Sequence, residues 1–319
     1  VCECSDAALL DELRGRLRRH GGAGDTVSFV ELPADINDLP AGLMAASSVA
    51  NVRRSPDHAS ELVTQIIYGD GVEPLKEDGE WYLVRMDDVY IGWIRSWHLV
   101  SVTSPTITAY ADSAKYRTSV NHAMVLQAPS RDALPVTDLV FGTKLEIDRC
   151  ARRGWRSVRL PDGKEGFITA REVEKNRARK RISRKHLSET GLRFLGIPYI
   201  WGGTTPKGFD CSGLVQRIYR IEGLVIPRDA DMQAGYGREG TADPDNPVAA
   251  ARELSTGDLI FFGKSASQIT HVAMYLSENL FLHAFGQVRV GSLDPASQLF
   301  ESRLVPEWRV SRDVISYNK

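Results

Sequence analysis

A pattern of short β-type runs and glycine turns occurs twice within residues 62–168 of this chain, and any fold must accommodate both copies. Leu62-Val63-Thr64-Gln65-Ile66-Ile67-Tyr68-Gly69 has a counterpart in Pro135-Val136-Thr137-Asp138-Leu139-Val140-Phe141-Gly142. Gly79-Glu80-Trp81 and Tyr90-Ile91-Gly92-Trp93-Ile94 correspond to Gly154-Trp155 and Glu165-Gly166-Phe167-Ile168, and Trp81 precedes Gly92 by the interval that separates Trp155 from Gly166. Strand, glycine turn, strand around a tryptophan, then a final Gly-aromatic-Ile strand is the alternation of a small sheet closing on itself. Two tandem all-β modules are predicted between Ser48 and Val173, with Trp81 and Trp155 in their cores.

Each copy resembles the bacterial SH3-like module, over roughly residues 46–100 and 118–173. Before them, Leu9, Leu10, Leu13 and Leu17 recur at helical spacing within residues 5–20, and Gly21-Gly22 would end that helix. After them, residues 171–185 hold eight Lys or Arg, read as a solvated linker or helix face. The expected division is a helical lead (1–45), a first barrel (46–104), a second barrel (105–175) and a third domain (176–319). In that last part Leu187, Leu192, Phe194 and Leu195 predict an apolar helix face ending near Gly196.

Forty Lys plus Arg nearly cancel 41 Asp plus Glu, so no global field points to nucleic acid or an anionic membrane. No apolar run is long enough to span a bilayer. The first residues, Val1-Cys2-Glu3-Cys4, have neither the basic nor the apolar region of a signal peptide, so either none existed or it was removed. Cys2 and Cys4 are too close for an unstrained mutual disulfide and Cys150 stands alone, so the four cysteines are no disulfide scaffold and the terminus reads as frayed.

The chemistry concentrates after Gly196. Gly196-Ile197-Pro198-Tyr199-Ile200-Trp201-Gly202-Gly203 reads as loop, whereas Leu214, Val215, Ile218 and Tyr219 recur at helical spacing, which puts Cys211 of Gly208-Phe209-Asp210-Cys211-Ser212-Gly213 at a helix start. Unpaired N–H groups there favour a thiolate and can also hold the oxygen of a tetrahedral intermediate, and Asp210 is a suitable N-cap. Downstream, Gly257-Asp258-Leu259-Ile260-Phe261-Phe262 is a predicted strand, and His271 and His283 interrupt two further apolar runs. On neighbouring antiparallel strands the two rings would lie side by side, His271 as base toward the thiol and His283 orienting it. Zinc held by Cys211, His271 and His283 would lack a fourth ligand at a familiar spacing.

These motifs in this order, with Pro227-Arg228-Asp229 and Thr270-His271-Val272, resemble the NlpC-type family of papain-like cell-wall cysteine peptidases over about residues 187–309. The resemblance implies an α+β protein: two small SH3-like barrels followed by a papain-like catalytic domain, a helix bundle packed on an antiparallel sheet. It implies Cys211 as nucleophile, His271 as base, His283 as orienting residue and Tyr199 beside the oxyanion. With two SH3-like modules ahead, the chain resembles the subgroup that cuts γ-D-glutamyl to L-diamino acid bonds in peptidoglycan peptides with a free N-terminal L-alanine. Asp229 then matches the position that meets the ammonium, Asp210 and Ser212 line the pocket, and Glu61 and Tyr90 are what the first barrel contributes to its far end. Ala230 departs from the pattern, since relatives often carry a hydroxyl there. No metal or cofactor is implied, and a monomer in the cell envelope or outside the cell is expected, with cytoplasmic recycling of fragments as the alternative. The rival readings are an amidase or acyltransferase using the same site, and an inert fold that only binds peptidoglycan.

Overall fold

The computed structural model describes residues 2–6, 8–12, 16, 29–33, 39–152, 154–176 and 181–317. Residues 8–12 are helical, while Leu13, Leu17 and Gly21-Gly22 of the expected N-terminal helix and positions 177–180 of the basic stretch lie outside the described residues. The terminus is not frayed: Cys2–Cys4 pairs in parallel with Phe29–Glu31.

The two repeats form two separate seven-stranded sheets with the same internal order of strands. Every pairing in them is antiparallel. Each sheet supplies most of its own core, Val52, Val63, Val84 and Ile94 among others in the first and Val125, Leu139, Val158 and Ile168 in the second, as a sheet folded onto itself must. The repeated glycine has a common physical cause. A Cβ on Gly92 would stand 2.5 Å from Val52, and one on Gly166 2.5 Å from Val125, so both strands cross where no side chain fits. Tyr68 of the first module enters the core of the second and ties the pair together. The tryptophans behave differently from the expectation. Trp81 is buried apart from the interior core, with Leu32, Leu75, Leu83 and Trp93, where Val30 and Leu32 cover that outer face; Trp155 is half-buried.

In the remaining part, helices α1 (Arg184–Leu192), α2 (Cys211–Ile221) and α3 (Ala230–Ala234) precede a six-stranded antiparallel sheet. Its strands are β1 (Arg238–Gly240), β2 (Leu259–Ser265), β3 (Gln268–Ser277), β4 (Leu280–Phe285), β5 (Gln287–Ser292) and β6 (Trp308–Asp313), in the order β1-β6-β2-β3-β4-β5. Where a helix bundle was expected, one eleven-residue helix, α2, carries the packing and its companions are short. Gly223 and Pro227 stop α2, and among the described residues the regular structure is mostly sheet.

Leu214, Val215, Ile218 and Tyr219 of α2 join Val272, Met274, Leu282 and Ala284 of β3 and β4 in one buried cluster. Each Val, Leu, Ile or Met side chain among them contributes about 1.5–3 kcal/mol. The predicted α1 face is only half right: Leu187 and Phe194 are fully buried, but Leu192 and Leu195 face solvent. Arg184 at the start of α1 pairs with Asp258 (2.7 Å) and Asp313 (2.9 Å), so the Asp of the Gly-Asp-Leu motif clamps a helix to the sheet. Among the described residues no helix is long and apolar enough to cross a membrane.

Candidate active site

The nucleophile candidate is placed by its neighbours. Asp210 caps α2, its Oδ1 accepting from the Gly213 amide (2.6 Å) and its Oδ2 from the Gly202 amide (2.9 Å). One carboxylate thus fixes both the helix start and the Trp201-Gly202 loop. Cys211 is buried, and the backbone N–H groups of Val272 and Ser212 favour its thiolate form. Val272 follows His271 on β3, which packs against α2, and Ser212 belongs to the first turn of that helix.

The sequence predicts a lowered thiol pKa, and the structure reverses the balance. Burial and the adjacent Asp210 carboxylate push the thiol up to about 11, against the two N–H groups that pull it down. Burial and the charge of Arg289 push His271 down to about 4. Both shifts favour a neutral thiol and a neutral imidazole in the free site, the state from which the proton moves during attack.

His271 lies on β3 opposite Phe262 of β2, and His283 lies on β4 opposite Arg289 of β5. Both rings point to one face of the sheet, and His271 Nε2 is 3.0 Å from His283 Nδ1. His283 is fully buried, and burial followed by its neighbours His271 and Arg289 pushes it down to about 3. Phe285 stacks parallel to it at 6.3 Å. The expected pairing of the two histidines is what the geometry gives.

Tyr199 is half-buried; burial and the nearby Cys211 and Asp210 raise its phenol, which therefore remains an O–H donor. Ser212 faces inward, its hydroxyl donating to Asp210 (3.3 Å) and accepting from Arg228 (2.8 Å). Asp229 does not pair with Arg228 but accepts the hydroxyl of Tyr90 from the first module (3.0 Å). Burial raises the Asp229 carboxyl, and that hydrogen bond counters it. Glu61 sits between Trp201, whose indole N–H donates to it (2.8 Å), and Arg54 (2.5 Å).

Sequence reasoning missed Arg228. Quoted there only as part of a motif, it is 1% exposed, donating to Asp210 (2.6 Å and 3.2 Å), Ser212 (2.8 Å) and Thr64 of the first module (3.0 Å). A buried charge persists only with such partners, and these come from two distant segments that no spacing rule connects. Gln65 was missed likewise; its side-chain oxygen accepts from the Thr204 amide and the Thr205 hydroxyl, both at 3.1 Å. Among the described residues no group of three or more His, Cys, Asp or Glu side chains is gathered as a metal site.

Comparison with known proteins agrees with this arrangement. Residues 196–309 match the NlpC/P60 family and residues 52–99 match the bacterial dipeptidyl-peptidase SH3 domain. Dipeptidyl-peptidase 6 of Lysinibacillus sphaericus is 30% identical over 267 residues, spanning 80% of this chain and 93% of the relative. The γ-D-glutamyl-L-lysine dipeptidyl-peptidase of Bacillus cereus is 28% identical over 290 residues, spanning 82% of this chain and 79% of the relative. A crystal structure of an NlpC/P60 family protein from Bacillus cereus superposes with a TM-score of 0.70 at 22% identity, covering 86% of this chain and 99% of that one, a likeness of fold. With a sulfur at a capped helix start, paired histidines on the adjoining sheet and a relative matched over nearly its whole length, this chain is a peptidase of the NlpC/P60 family.

Proposed function

We propose that this peptidase hydrolyses the γ-D-glutamyl to L-diamino acid amide bond of peptidoglycan peptides that carry a free N-terminal L-alanine. The observation that carries this reading is the Tyr90–Asp229 hydrogen bond of 3.0 Å between the first module and the catalytic part. Asp229 follows Arg228, which grips the residues on either side of Cys211, and Arg228 commits its own donors to Asp210, Ser212 and Thr64. A carboxylate at that place suits an ammonium a short peptide's length from the bond cut. Glu61, holding Trp201, lies on the same rim, and relatives named for γ-D-glutamyl-L-lysine cleavage support the choice of bond.

In this reading Cys211 attacks the γ-carbonyl while His271 takes its proton; the tetrahedral oxygen meets the Tyr199 hydroxyl, and His271 returns the proton to the leaving amine. Water then cleaves the thioester by the reverse path. The enzyme acts as a monomer on wall fragments of the cell envelope.

An assay with L-Ala-γ-D-Glu-L-Lys and its N-acetylated form tests the proposal. Blocking the amine is expected to lower kcat/KM by about 100-fold, the order of a lost charged hydrogen-bonded pair at a partly buried site. Equal rates would end the free-terminus reading, and cleavage by Cys211→Ala at the normal rate would end the mechanism.

A further inference from the structure

The proton chain behind His271 does not stop at His283. The Nε2 of His283 lies 3.4 Å from Arg289 Nε in hydrogen-bond geometry and also 3.4 Å from Glu301 Oε1 at ion-pair distance, and Glu301 and Arg289 are themselves paired at 2.7 Å. An ionised carboxylate can only accept a hydrogen bond and a guanidinium can only donate one, so these two side chains make opposite demands on the same ring nitrogen. A neutral imidazole carries one N–H, and His271 Nε2 shares a single hydrogen bond with His283 Nδ1, so the two rings must change tautomer together.

If Glu301 accepts a hydrogen bond from His283 Nε2–H, His283 Nδ1 is an acceptor, His271 donates from Nε2, and His271 Nδ1 is left with its lone pair for the thiol. If Arg289 donates to that nitrogen instead, His283 carries its proton on Nδ1, His271 carries its own on Nδ1, and no base faces Cys211. We infer that Glu301 is a positioning residue that selects the base-competent tautomer of the two histidines, and that Arg289 holds its carboxylate while favouring the opposite state. This rests on the reading of Cys211 and His271 as nucleophile and base.

The fold makes room for this contact. Glu301 follows Phe300, which forms an isolated bridge with Ser292 at the end of β5, and its side chain crosses that strand over Gly291, where an added Cβ would stand 2.7 Å from Glu301 Cγ. Arg289 reaches His283 because the two are directly opposed in the β4–β5 register. Glu301 itself is largely buried, its side chain 16% exposed.

The test is kinetic and spectroscopic. Glu301→Ala leaves Arg289 alone on Nε2 and is expected to lower kcat by about 100-fold, the scale of losing a general base, with KM changed less than about twofold. Removing Arg289 as well should restore about tenfold of that loss, because nothing then enforces the unreactive tautomer. Unchanged kcat in Glu301→Ala, or a double variant as slow as the single one, overturns the inference. Imidazole 15N shifts of the unliganded wild-type protein at neutral pH need no variant: both rings protonated on Nε2 support it, and both protonated on Nδ1 overturn it. Since that measurement uses no substrate, its outcome is separate from whether Cys211 and the proposed peptide are the true nucleophile and substrate.

Discussion

The two SH3-like repeats share a sheet order and a glycine crossing, yet only the first reaches the candidate site. Aligned through Trp81 and Trp155, Tyr90 of the first corresponds to Lys164 of the second; aligned through Thr64 and Thr137, Glu61 corresponds to Leu134. Tyr90 and Glu61 bond to Asp229 and Trp201, whereas Lys164 pairs with its own neighbour Asp162 and Leu134 is 68% exposed. Interior positions have kept their packing while outward positions have diverged with what they face. One position does similar work in both. Gln65 binds Thr204 and Thr205, and its counterpart Asp138 binds Lys207 at 2.8 Å, so the same turn is held from both modules.

Exchanging the divergent residues should separate the modules most sharply. Tyr90→Lys puts a cation against Asp229 and is expected to reduce kcat/KM on a free-amine peptide by about 100-fold or more, while Lys164→Tyr leaves it unchanged. Equal losses in the two variants would mean that the first module has no privileged access to substrate. The shared crossing makes the opposite demand. Gly92→Ala and Gly166→Ala should each lower unfolding stability by about 1–3 kcal/mol in a denaturant titration, since both Cβ atoms meet a valine at 2.5 Å. A much smaller cost at one site would show that the modules are less alike inside than their strand order suggests.

The smallest effect concerns the common turn. Gln65→Ala leaves the half-buried Thr204 contacts unmet and should cost about 1 kcal/mol; Asp138→Ala removes a more exposed ion pair and should cost about 0–1 kcal/mol.

Much of this was legible because periodicity records burial. The repeat announced two sheets, the helical spacing after Cys211 announced α2, and two histidines in apolar runs announced adjacent strands. The unread parts depend on where segments meet in space. Leu192 and Leu195 fit an apolar face but run past the area that β3 and β4 cover. Trp81 owes its burial to Leu32, a distant residue on the N-terminal segment. Arg228, beside an aspartate in sequence, pairs with a different aspartate eighteen positions away, and Cys211 is raised by burial that a helix-end argument does not include. Local pattern identifies a group; its charge state and partners follow from the surrounding solid.

The turn at 204–207 lies immediately upstream of the nucleophile, and each module grips it with a side chain. Architecture usually treated as interchangeable cassettes here shares one handhold: swapping, shortening or reorienting either repeat removes a contact to the chain that leads, four residues on, to the reactive sulfur. The duplication, once made, became a constraint on its own later evolution.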